Sequence, residues 1–171
     1  MANEVFETAL TLLAVREYAD KPIPHEVMRR VVEAGHLCAS AGNRQPWHFI
    51  LVERLDAIHE LGGLVRTGPY IAGARAAVIV AVDKATGKAD VDAARAIQQM
   101  MLVAWADGVG SNWTGFGGLE GVRQWAGLPD TFDVLAVLPF GYPKRKLGLG
   151  NKKRKPLDEV VSAERYGSHL T

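Results

Sequence analysis

Closely spaced cysteines and histidines are missing from this sequence, which excludes several kinds of site. The single cysteine, Cys38, cannot form an internal disulfide, and the five histidines show no H-x-x-x-H spacing. We therefore expect no structural metal. Cys38 lies on the apolar side of a predicted helix without a basic activator, so we interpret it as a small buried residue rather than a reactive thiol. No Ser-His-Asp or Cys-His arrangement is evident, and we assign no catalytic side chain.

Long hydrophobic runs are also missing. No apolar run reaches the ~18 residues that a membrane-spanning helix needs, and the acidic N-terminus lacks the basic region and apolar stretch of a signal peptide. We therefore expect a cytoplasmic protein that does not bind membranes. With 171 residues, of which 48% are hydrophobic and 23% charged, the chain is predicted to form one folded domain over residues 1–171.

Positive charge is in excess only near the C-terminus. Residues 1–143 carry 12 basic and 16 acidic side chains, whereas residues 144–171, the basic tail, carry 8 basic and 3 acidic ones. Such a run is most often a solvated face, but lysines and arginines also form phosphate sites. Nucleic-acid binding would need a wider basic surface with interleaved aromatics, so we expect no nucleic-acid partner. Residues 156–161 have too few apolar side chains for a core of their own, so the tail packs either on its own chain or around a partner subunit.

Helical and strand patterns follow one another along the chain. Apolar residues at spacings of three and four predict helices, and short apolar runs predict strands. The predicted helices cover residues 4–13, 25–38, 55–64, 90–108 and 119–126, and the predicted strands cover residues 49–52, 76–82 and 134–138. The run 76–82 is apolar throughout, which indicates a strand buried on both faces in the middle of a sheet. Pro139 is expected to end the last strand, and the mixture of elements indicates an α/β or α+β fold.

Residues 39–47 lie between a predicted helix and a predicted strand and read Ala-Ser-Ala-Gly-Asn-Arg-Gln-Pro-Trp. The small residues would let a flat ligand approach the backbone, Asn43 and Gln45 offer hydrogen-bond donors and acceptors, and Pro46 favours an extended conformation at Gln45. From the residue types alone, two interpretations are open: a site for a planar heterocycle, or a connection in which Asn43 and Gln45 satisfy their own backbone. Residues 111–118 form a second loop of small residues, without the G-x-G-x-x-G spacing of a dinucleotide site.

Residues 40–47 resemble the S-x-x-N-x-Q-P-W segment of the FMN-dependent nitroreductase family. Three other segments agree with that family in the same order along the chain: Arg16-Glu17-Tyr18 before Pro22-Ile23-Pro24, the long helix ending at Gly108-Val109-Gly110, and Gly141-Tyr142-Pro143 followed by Lys152-Lys153-Arg154-Lys155-Pro156-Leu157. On these motifs the chain is identified as a short member of the family. The resemblance implies an α+β fold, with a central, mostly antiparallel sheet flanked by helices, in an intertwined homodimer.

The same resemblance implies a cofactor, a reaction and the residues that bind the cofactor. The cofactor would be FMN, with NADH or NADPH as electron donor and a nitroaromatic, a quinone or a similar electron-poor small molecule as acceptor, in a ping-pong hydride transfer. The implied FMN-binding residues are Arg16 near the flavin; Ala39, Ser40, Ala41, Asn43 and Gln45 in the loop, often from the opposite subunit; Thr114, Gly115 and Phe116 along the central ring; and Lys152 and Arg154 at the phosphate. A non-catalytic flavin-binding or flavin-storage protein of the same fold is the alternative.

The N-terminal motif departs from the family pattern. The family usually has R-x-S-x-R before the aromatic residue, and here Leu12 and Ala14 stand in place of the first Arg and the Ser. The loss of one charge-assisted phosphate contact would cost ~1.5 to 3 kcal/mol, about one to two decades in affinity. Either FMN binds more weakly than in the family, or Lys153 and Lys155 replace the lost contact. The chain also lacks the inserted helical segment that covers the ring in larger members, so the substrate pocket is expected to be open or built mostly from the dimer.

Overall fold

The computed structural model describes residues 3–115, 117–148, 150 and 152–169. Within these ranges the chain forms five α-helices, four β-strands and three short 3-10 segments. The helices are α1 (Glu4–Thr11), α2 (His25–His36), α3 (Leu55–Leu64), α4 (Ala89–Ala106) and α5 (Glu120–Trp125); the strands are β1 (Trp47–Val52), β2 (Ala76–Asp83), β3 (Gly110–Ser111) and β4 (Phe132–Gly141); the 3-10 segments are Ala41–Asn43, Pro69–Gly73 and Leu157–Glu159. Each helix and strand expected from the sequence is present; α3 has the expected bounds, the others have shifted ends, and β3 is additional.

The four strands form one sheet in the order β1-β2-β4-β3, and each neighbouring pair is antiparallel. β2 lies inside the sheet, as its uniformly apolar sequence predicted. Its side chains alternate between the two faces: Val78 and Val80 pack into one core cluster, and Ala77 and Ile79 pack into the other. The predicted α+β fold, with a central, mostly antiparallel sheet flanked by helices, is therefore confirmed.

Helices cover both faces of the sheet. On one face α2 and α4 pack together against β2 and β4, and they come close together at Gly35, where an added Cβ would lie 2.9 Å from Cγ of Met100. On the other face lie α3, α5 and the Pro69–Gly73 segment, with Ile58 and Ile71 fully buried. The longest of the five helices is α4, which has 18 residues and is about 27 Å long. Among the helices that the structure describes, none is both long and apolar enough to cross a lipid bilayer.

Pro139 does not end β4 as expected, because the strand continues through it to Gly141. Val137 exchanges both backbone hydrogen bonds with Thr114, at 3.1 and 3.2 Å, on the side of β4 that faces away from β2. Since the backbone groups of alternate residues point the same way, the nitrogen of Pro139 also faces away from β2, between the Thr114 bridge and the short strand β3. A proline there removes no hydrogen bond from the pairing of β2 with β4, so the sheet accommodates it.

The packing of α3 against the Pro69–Gly73 segment predicts opposite effects for alanine at two adjacent glycines. At Gly62 an added Cβ would lie 2.7 Å from both the Cβ and the backbone nitrogen of Ala72, whereas at Gly63 it would meet no described atom within 4 Å. Gly62→Ala should therefore destabilise the fold by about 1–3 kcal/mol. Gly63→Ala should stabilise it by about 0.5–1 kcal/mol, because alanine favours the helix. Denaturant unfolding measures both changes, and equal effects would show that α3 does not approach Ala72 this closely.

Candidate functional site

Residues 14–18, the Arg16 segment, lie against the outer edge of the sheet. Ala14 forms a parallel bridge with Ser111 of β3, and the N–H of Val15 donates to the carbonyl of Ser111 at 2.9 Å. The segment comes so close to β3 that a Cβ on Gly110 would lie 2.3 Å from Cγ2 of Val15. Val15 is buried by this packing, whereas Arg16 is exposed. The edge of the sheet therefore holds the backbone of Arg16 in place and leaves its side chain accessible.

Tyr70, which was not expected from the sequence, lies close to Arg16. The guanidinium carbon of Arg16 is 5.8 Å from the centroid of the Tyr70 ring, within the range of a cation–π interaction. The Tyr70 hydroxyl accepts a hydrogen bond from the side-chain amide of Asn112 at 2.6 Å, and the same amide donates to the carbonyl of Trp113 at 3.0 Å. Asn112 is buried, so Tyr70 is anchored to the interior and restricts where the Arg16 side chain can lie.

Tyr18 fastens the same segment to the end of β4. Its hydroxyl donates to the carbonyl of Val15 at 2.8 Å, and its ring lies so close to Gly141 that a Cβ there would be 2.6 Å from Cδ1 of the ring. Burial, with a smaller contribution from Tyr70, raises the pKa of Tyr18 above its usual range, although Arg16 lowers it. The phenol therefore stays protonated near neutral pH and keeps donating to Val15.

Thr114 lies inside the fold, Gly115 follows it, and Phe116 lies outside the described residues. The hydroxyl of Thr114 donates to the carbonyl of Val137 at 2.6 Å, and its backbone N–H and carbonyl bond to the same residue at 3.2 and 3.1 Å. The hydroxyl, the N–H and the carbonyl of Thr114 are thus all hydrogen-bonded to Val137 of β4. Gly115 has a φ of +101°, which L side chains rarely adopt, and a Cβ there would lie 2.6 Å from Leu119. A cofactor here would therefore contact the backbone at Gly115 rather than the Thr114 hydroxyl.

The first part of the basic tail runs antiparallel to residues 9–17 of its own chain. Three contacts define this alignment: the N–H of Lys144 donates to the carbonyl of Glu17 at 3.0 Å, Gly150 packs against the side chain of Leu13, and the ammonium group of Lys152 contacts the carbonyls of Ala9 and Leu10. The tail therefore reaches the Arg16 segment without help from a partner subunit.

Lys152 and Arg154, the residues expected at a phosphate, have different surroundings. The ammonium group of Lys152 lies at the C-terminal end of α1, where it donates to the carbonyl of Ala9 at 3.1 Å. A cation is favourable there because the last carbonyls of a helix carry partial negative charge. One guanidinium nitrogen of Arg154 donates to the carbonyl of Lys153 at 3.5 Å. Lys152 is thus hydrogen-bonded to a distant part of the fold, whereas the side chain of Arg154 hydrogen-bonds only to the adjacent backbone among the described residues.

A cavity of about 280 Å³ lies between the Arg16 segment and the tail. It is lined by residues 14–17 together with Lys144, Arg145 and Leu147. The lining contains three cations, Arg16, Lys144 and Arg145, and one carboxylate, Glu17. Within the described ranges, none of these three cations forms a salt bridge. The cavity is therefore electropositive and can hold an anion.

The loop of residues 39–45 is attached to the first turn of α4 by a buried carboxylate. Asp92 is 4% exposed, and its Oδ2 accepts a hydrogen bond from the N–H of Ala41 at 3.0 Å. Its Oδ1 lies 3.6 Å from the guanidinium group of Arg95. Asp92 was not expected from the sequence, because no local pattern relates a helical aspartate to a loop 51 residues earlier. Most of the loop is exposed around this anchor.

Gln45 does not take the extended conformation expected before Pro46. Its φ is +49°, and that of Asn43 is +55°. Hydrogen bonds that close the loop select this conformation: the N–H of Gln45 donates to Oγ of Ser40 at 2.9 Å, and its side-chain amide donates to the carbonyl and side-chain oxygens of Asn43 at 3.2 and 3.3 Å. These bonds agree with a self-satisfied connection. A left-handed backbone at two residues other than glycine is nevertheless strained, and such strain clusters at ligand-binding sites.

The two groups of expected cofactor residues lie at opposite ends of α4 within one chain. The loop that contains Asn43 is bonded to Asp92 in the first turn of α4, whereas Trp105 in the last turn donates to the hydroxyl of Thr11, near the Arg16 segment, at 3.0 Å. Asp92 and Trp105 are about 20 Å apart along the helix. Among the described residues, Arg16 lies next to Tyr70 and shares a cavity with the first part of the tail, while the loop is anchored at the other end of α4.

Sequence comparison relates the chain to one family. The model of the nitroreductase family matches residues 14–88 and 71–142. A protein of Archaeoglobus fulgidus, with the provisional name NADH dehydrogenase/NAD(P)H nitroreductase, is 30% identical over 151 residues. That match covers 83% of this chain and 87% of the relative.

Solved structures share the fold over nearly the whole chain. A protein of Bacteroides thetaiotaomicron, with the same provisional name, superimposes with a TM-score of 0.88 at 26% identity and covers 97% of this chain and 100% of that one. A provisionally named nitroreductase of Desulfovibrio desulfuricans, solved in complex with FMN, superimposes with a TM-score of 0.85 at 26% identity, covering 97% of this chain and 99% of that one. Since the family model matches most of the sequence and the fold agrees, this chain belongs to the nitroreductase family.

Proposed function

We propose that this protein is an FMN-dependent NAD(P)H oxidoreductase of the nitroreductase type. The observation that carries the proposal is the cavity beside Arg16, where three cations without acidic partners among the described residues can hold an anionic group. FMN carries a phosphate monoester, which is close to a dianion at neutral pH. The D. desulfuricans nitroreductase was solved with FMN, and the name of the A. fulgidus relative specifies NAD(P)H. The first relative supports the cofactor, and the second supports the electron donor.

The chemistry of the described residues fits FMN. Arg16 would supply a cation next to the flavin, and the backbone at Gly115 would let a flat ring approach. Lys152 and Arg154 would add positive charge at the phosphate, and Ala39, Ser40, Ala41, Asn43 and Gln45 would supply small side chains and amide groups. When bound, FMN supplies the redox chemistry, in which hydride comes from NADH or NADPH and electrons pass to a nitroaromatic, a quinone or a similar acceptor in a ping-pong sequence. The chain's own part is to bind and orient the reactants.

A homodimer would complete the proposed FMN site, because the loop of residues 39–45 in one copy can contact the Arg16 segment of another. Two features support it besides the separation along α4. The loop is exposed in the single chain, as a surface that contacts another subunit would be. Helix α1 has no buried residue and exposes Val5 (71%), Phe6 (61%) and Leu10 (48%) to solvent. Burial of such a face stabilises association between subunits.

A flavin-binding or flavin-storage protein without turnover is the second candidate function. One observation favours it: Leu12 and Ala14 occupy the positions where the family usually has Arg and Ser. Two polar side chains are therefore replaced by apolar ones, and one charge-assisted contact to a phosphate would be lost. The two candidates differ in one measurable property, since a storage protein would bind flavin that NADH and NADPH do not reduce.

Reconstitution with FMN tests the proposed activity. Protein purified with added FMN should show the absorbance of oxidised flavin, and NADH or NADPH should bleach it under anaerobic conditions. A nitroaromatic or a quinone added afterwards should restore the absorbance. Saturating FMN that leaves no bound flavin would refute the cofactor. Bound flavin that is reduced by neither nicotinamide would favour the storage protein.

Subunit mixing tests whether two copies share each site. Arg16→Glu reverses the charge in the part of the proposed site that the Arg16 segment forms. Ala41→Trp places a bulky side chain in the loop of residues 39–45, which forms the other part. Each variant alone should therefore bind little FMN. In a twofold-symmetric dimer that combines the two variants, one site contains both lesions and the other contains neither. Co-expression should therefore restore FMN binding at about a quarter of all sites. Binding no higher than in the separate variants would show that each site lies within one chain.

Asp92→Ala should weaken FMN binding while the protein stays folded. The substitution removes the acceptor of the Ala41 N–H, at a cost of about 1–3 kcal/mol, and frees the loop from α4. Asp92→Asn keeps an acceptor oxygen and should have a smaller effect. Asp90→Ala removes an exposed carboxylate from the same turn and is the matched control. Fluorescence titration gives the Kd for FMN, and equal values for Asp92→Ala and Asp90→Ala would contradict the anchoring role.

A further inference from the structure

We infer that Tyr70 determines which electron acceptors the protein uses, because its hydroxyl donates a hydrogen bond to an oxygen of the acceptor beside Arg16. The inference rests on the proposed function, since it concerns the molecule that takes up electrons in that reaction. It names one chemical class, a conjugated ring that carries an oxygen acceptor, as in a quinone or a nitroaromatic.

The direction of the Tyr70 hydroxyl follows from the orientation of Asn112. The side-chain nitrogen of Asn112 donates to the carbonyl of Trp113 at 3.0 Å. A carbonyl oxygen only accepts hydrogen bonds, so the atom that faces it is the amide nitrogen and not the amide oxygen. The same nitrogen lies 2.6 Å from the hydroxyl of Tyr70. Since an amide nitrogen donates and does not accept, the Tyr70 oxygen is the acceptor of this bond.

The proton of the Tyr70 hydroxyl is therefore directed away from Asn112. Within the described part of the chain, no side chain or carbonyl accepts a hydrogen bond from it. The neighbouring Tyr18 differs in this respect, because its hydroxyl donates to the carbonyl of Val15. Tyr70 is also exposed. It thus presents a hydrogen-bond donor that a ligand can reach from solution.

Close packing on both sides of Tyr70 holds this donor in place. Before it in the chain, a Cβ on Gly68 would lie 3.2 Å from Cβ of Thr114. After it, Ile71 is fully buried, and Ala72 lies 2.7 Å from the position of a Cβ on Gly62 of α3. Because the backbone around Tyr70 is fixed, little freedom is lost when a ligand accepts from its hydroxyl.

Arg16 adds positive charge beside the donor. Its guanidinium carbon is 5.8 Å from the centroid of the Tyr70 ring, and none of the salt bridges between described residues includes it. The oxygens of a quinone or a nitro group become more negative as electrons arrive. A cation and a hydrogen-bond donor beside such an oxygen therefore stabilise the transition state more than the initial complex.

The location of Tyr70 favours the acceptor over FMN as its ligand. The FMN contacts expected from the family resemblance lie at residues 16, 39–45, 114–116 and 152–154, and none lies in the segment Pro69–Gly73. An acceptor has to enter from solution in every turnover, so the groups that bind it must be accessible. The exposed hydroxyl of Tyr70 meets this requirement.

Acceptor kinetics of two matched variants test the inference. Tyr70→Phe removes the hydroxyl and keeps the ring beside Arg16, and Tyr166→Phe, the control, removes the hydroxyl of a fully exposed tyrosine. Thermal unfolding checks that both are folded. With FMN-loaded protein and saturating NADH or NADPH, kcat/KM for menadione and for nitrobenzene should be about three- to tenfold lower in Tyr70→Phe than in the control. The ferrocenium ion takes one electron and has no hydrogen-bond acceptor, so its kcat/KM should be equal in the two variants, as should the Kd for FMN.

Three results would overturn the inference: equal kinetics of the two variants with menadione and nitrobenzene, an equal loss with all three acceptors, or weaker FMN binding by Tyr70→Phe alone. In each case, reduction of bound flavin by NADH or NADPH would still support the proposed function.

If the wild-type protein binds no flavin, the proposed function fails, and a titration of the flavin-free protein decides the role of Tyr70. Nitrobenzene should then shift the side-chain amide resonances of Asn112 in the control variant and shift them less in Tyr70→Phe. Toluene, which has no oxygen, should shift them in neither variant. Equal shifts by nitrobenzene in the two variants would overturn the inference.

Discussion

The length of α4 is the constraint on which the rest of the structure depends. The helix is packed between α2 and the sheet, with Ala93, Ile97, Met100 and Ala104 fully buried, so it cannot shorten or slide without loss of the core. Its first turn holds the loop through Asp92, and its last turn holds the chain just before Arg16 through Trp105. No side-chain movement brings these ends together. A ligand that needs both groups of residues therefore makes a second subunit part of its site.

The Arg16 end is held together by close packing and neutral hydrogen bonds rather than by ion pairs. Val15 packs on Gly110, Tyr18 packs on Gly141, and in both places a Cβ would overlap the neighbour. The Tyr18 hydroxyl and the Asn112 amide complete the frame. Among the described residues, no salt bridge uses the charges of Arg16, Lys144 and Arg145, whereas Lys152 is engaged by carbonyls of α1. These three cations remain available to an anion. In this respect the cavity differs from the surfaces of the protein where arginines form salt bridges.

Much of the fold could be predicted from the sequence because its signals are local. Uniform apolarity identified β2 as a buried inner strand, and the spacing of apolar residues identified α4. The two predictions that rested on proline were wrong. Pro139 lies inside β4, where its missing N–H faces no partner strand. Gln45, before Pro46, takes a left-handed conformation that the hydrogen bonds of the loop impose. In both cases a contact with a distant part of the chain overrode a local preference.

The candidate site was only partly predictable for the same reason. The loop motif and the C-terminal cations indicated which regions to expect, but the sequence does not say which cations the fold itself uses. Lys152 is engaged by carbonyls more than 140 residues earlier, and Tyr70 is tied to Asn112 across 42 residues. The turn dipeptide Gly68-Pro69 precedes Tyr70 but indicates a turn and not a site. Such long-range pairings appear only when the sheet brings the segments together.

The separation of the two residue groups along α4 also links flavin binding to protein concentration. If the loop of one subunit and the Arg16 end of another grip one flavin, then the ligand must tighten subunit association by the same factor by which association tightens the ligand. Dilution would then release the cofactor even from a protein whose fold is intact. Bound flavin would stabilise the dimer. The holoprotein would then stay dimeric at protein concentrations at which the apoprotein dissociates.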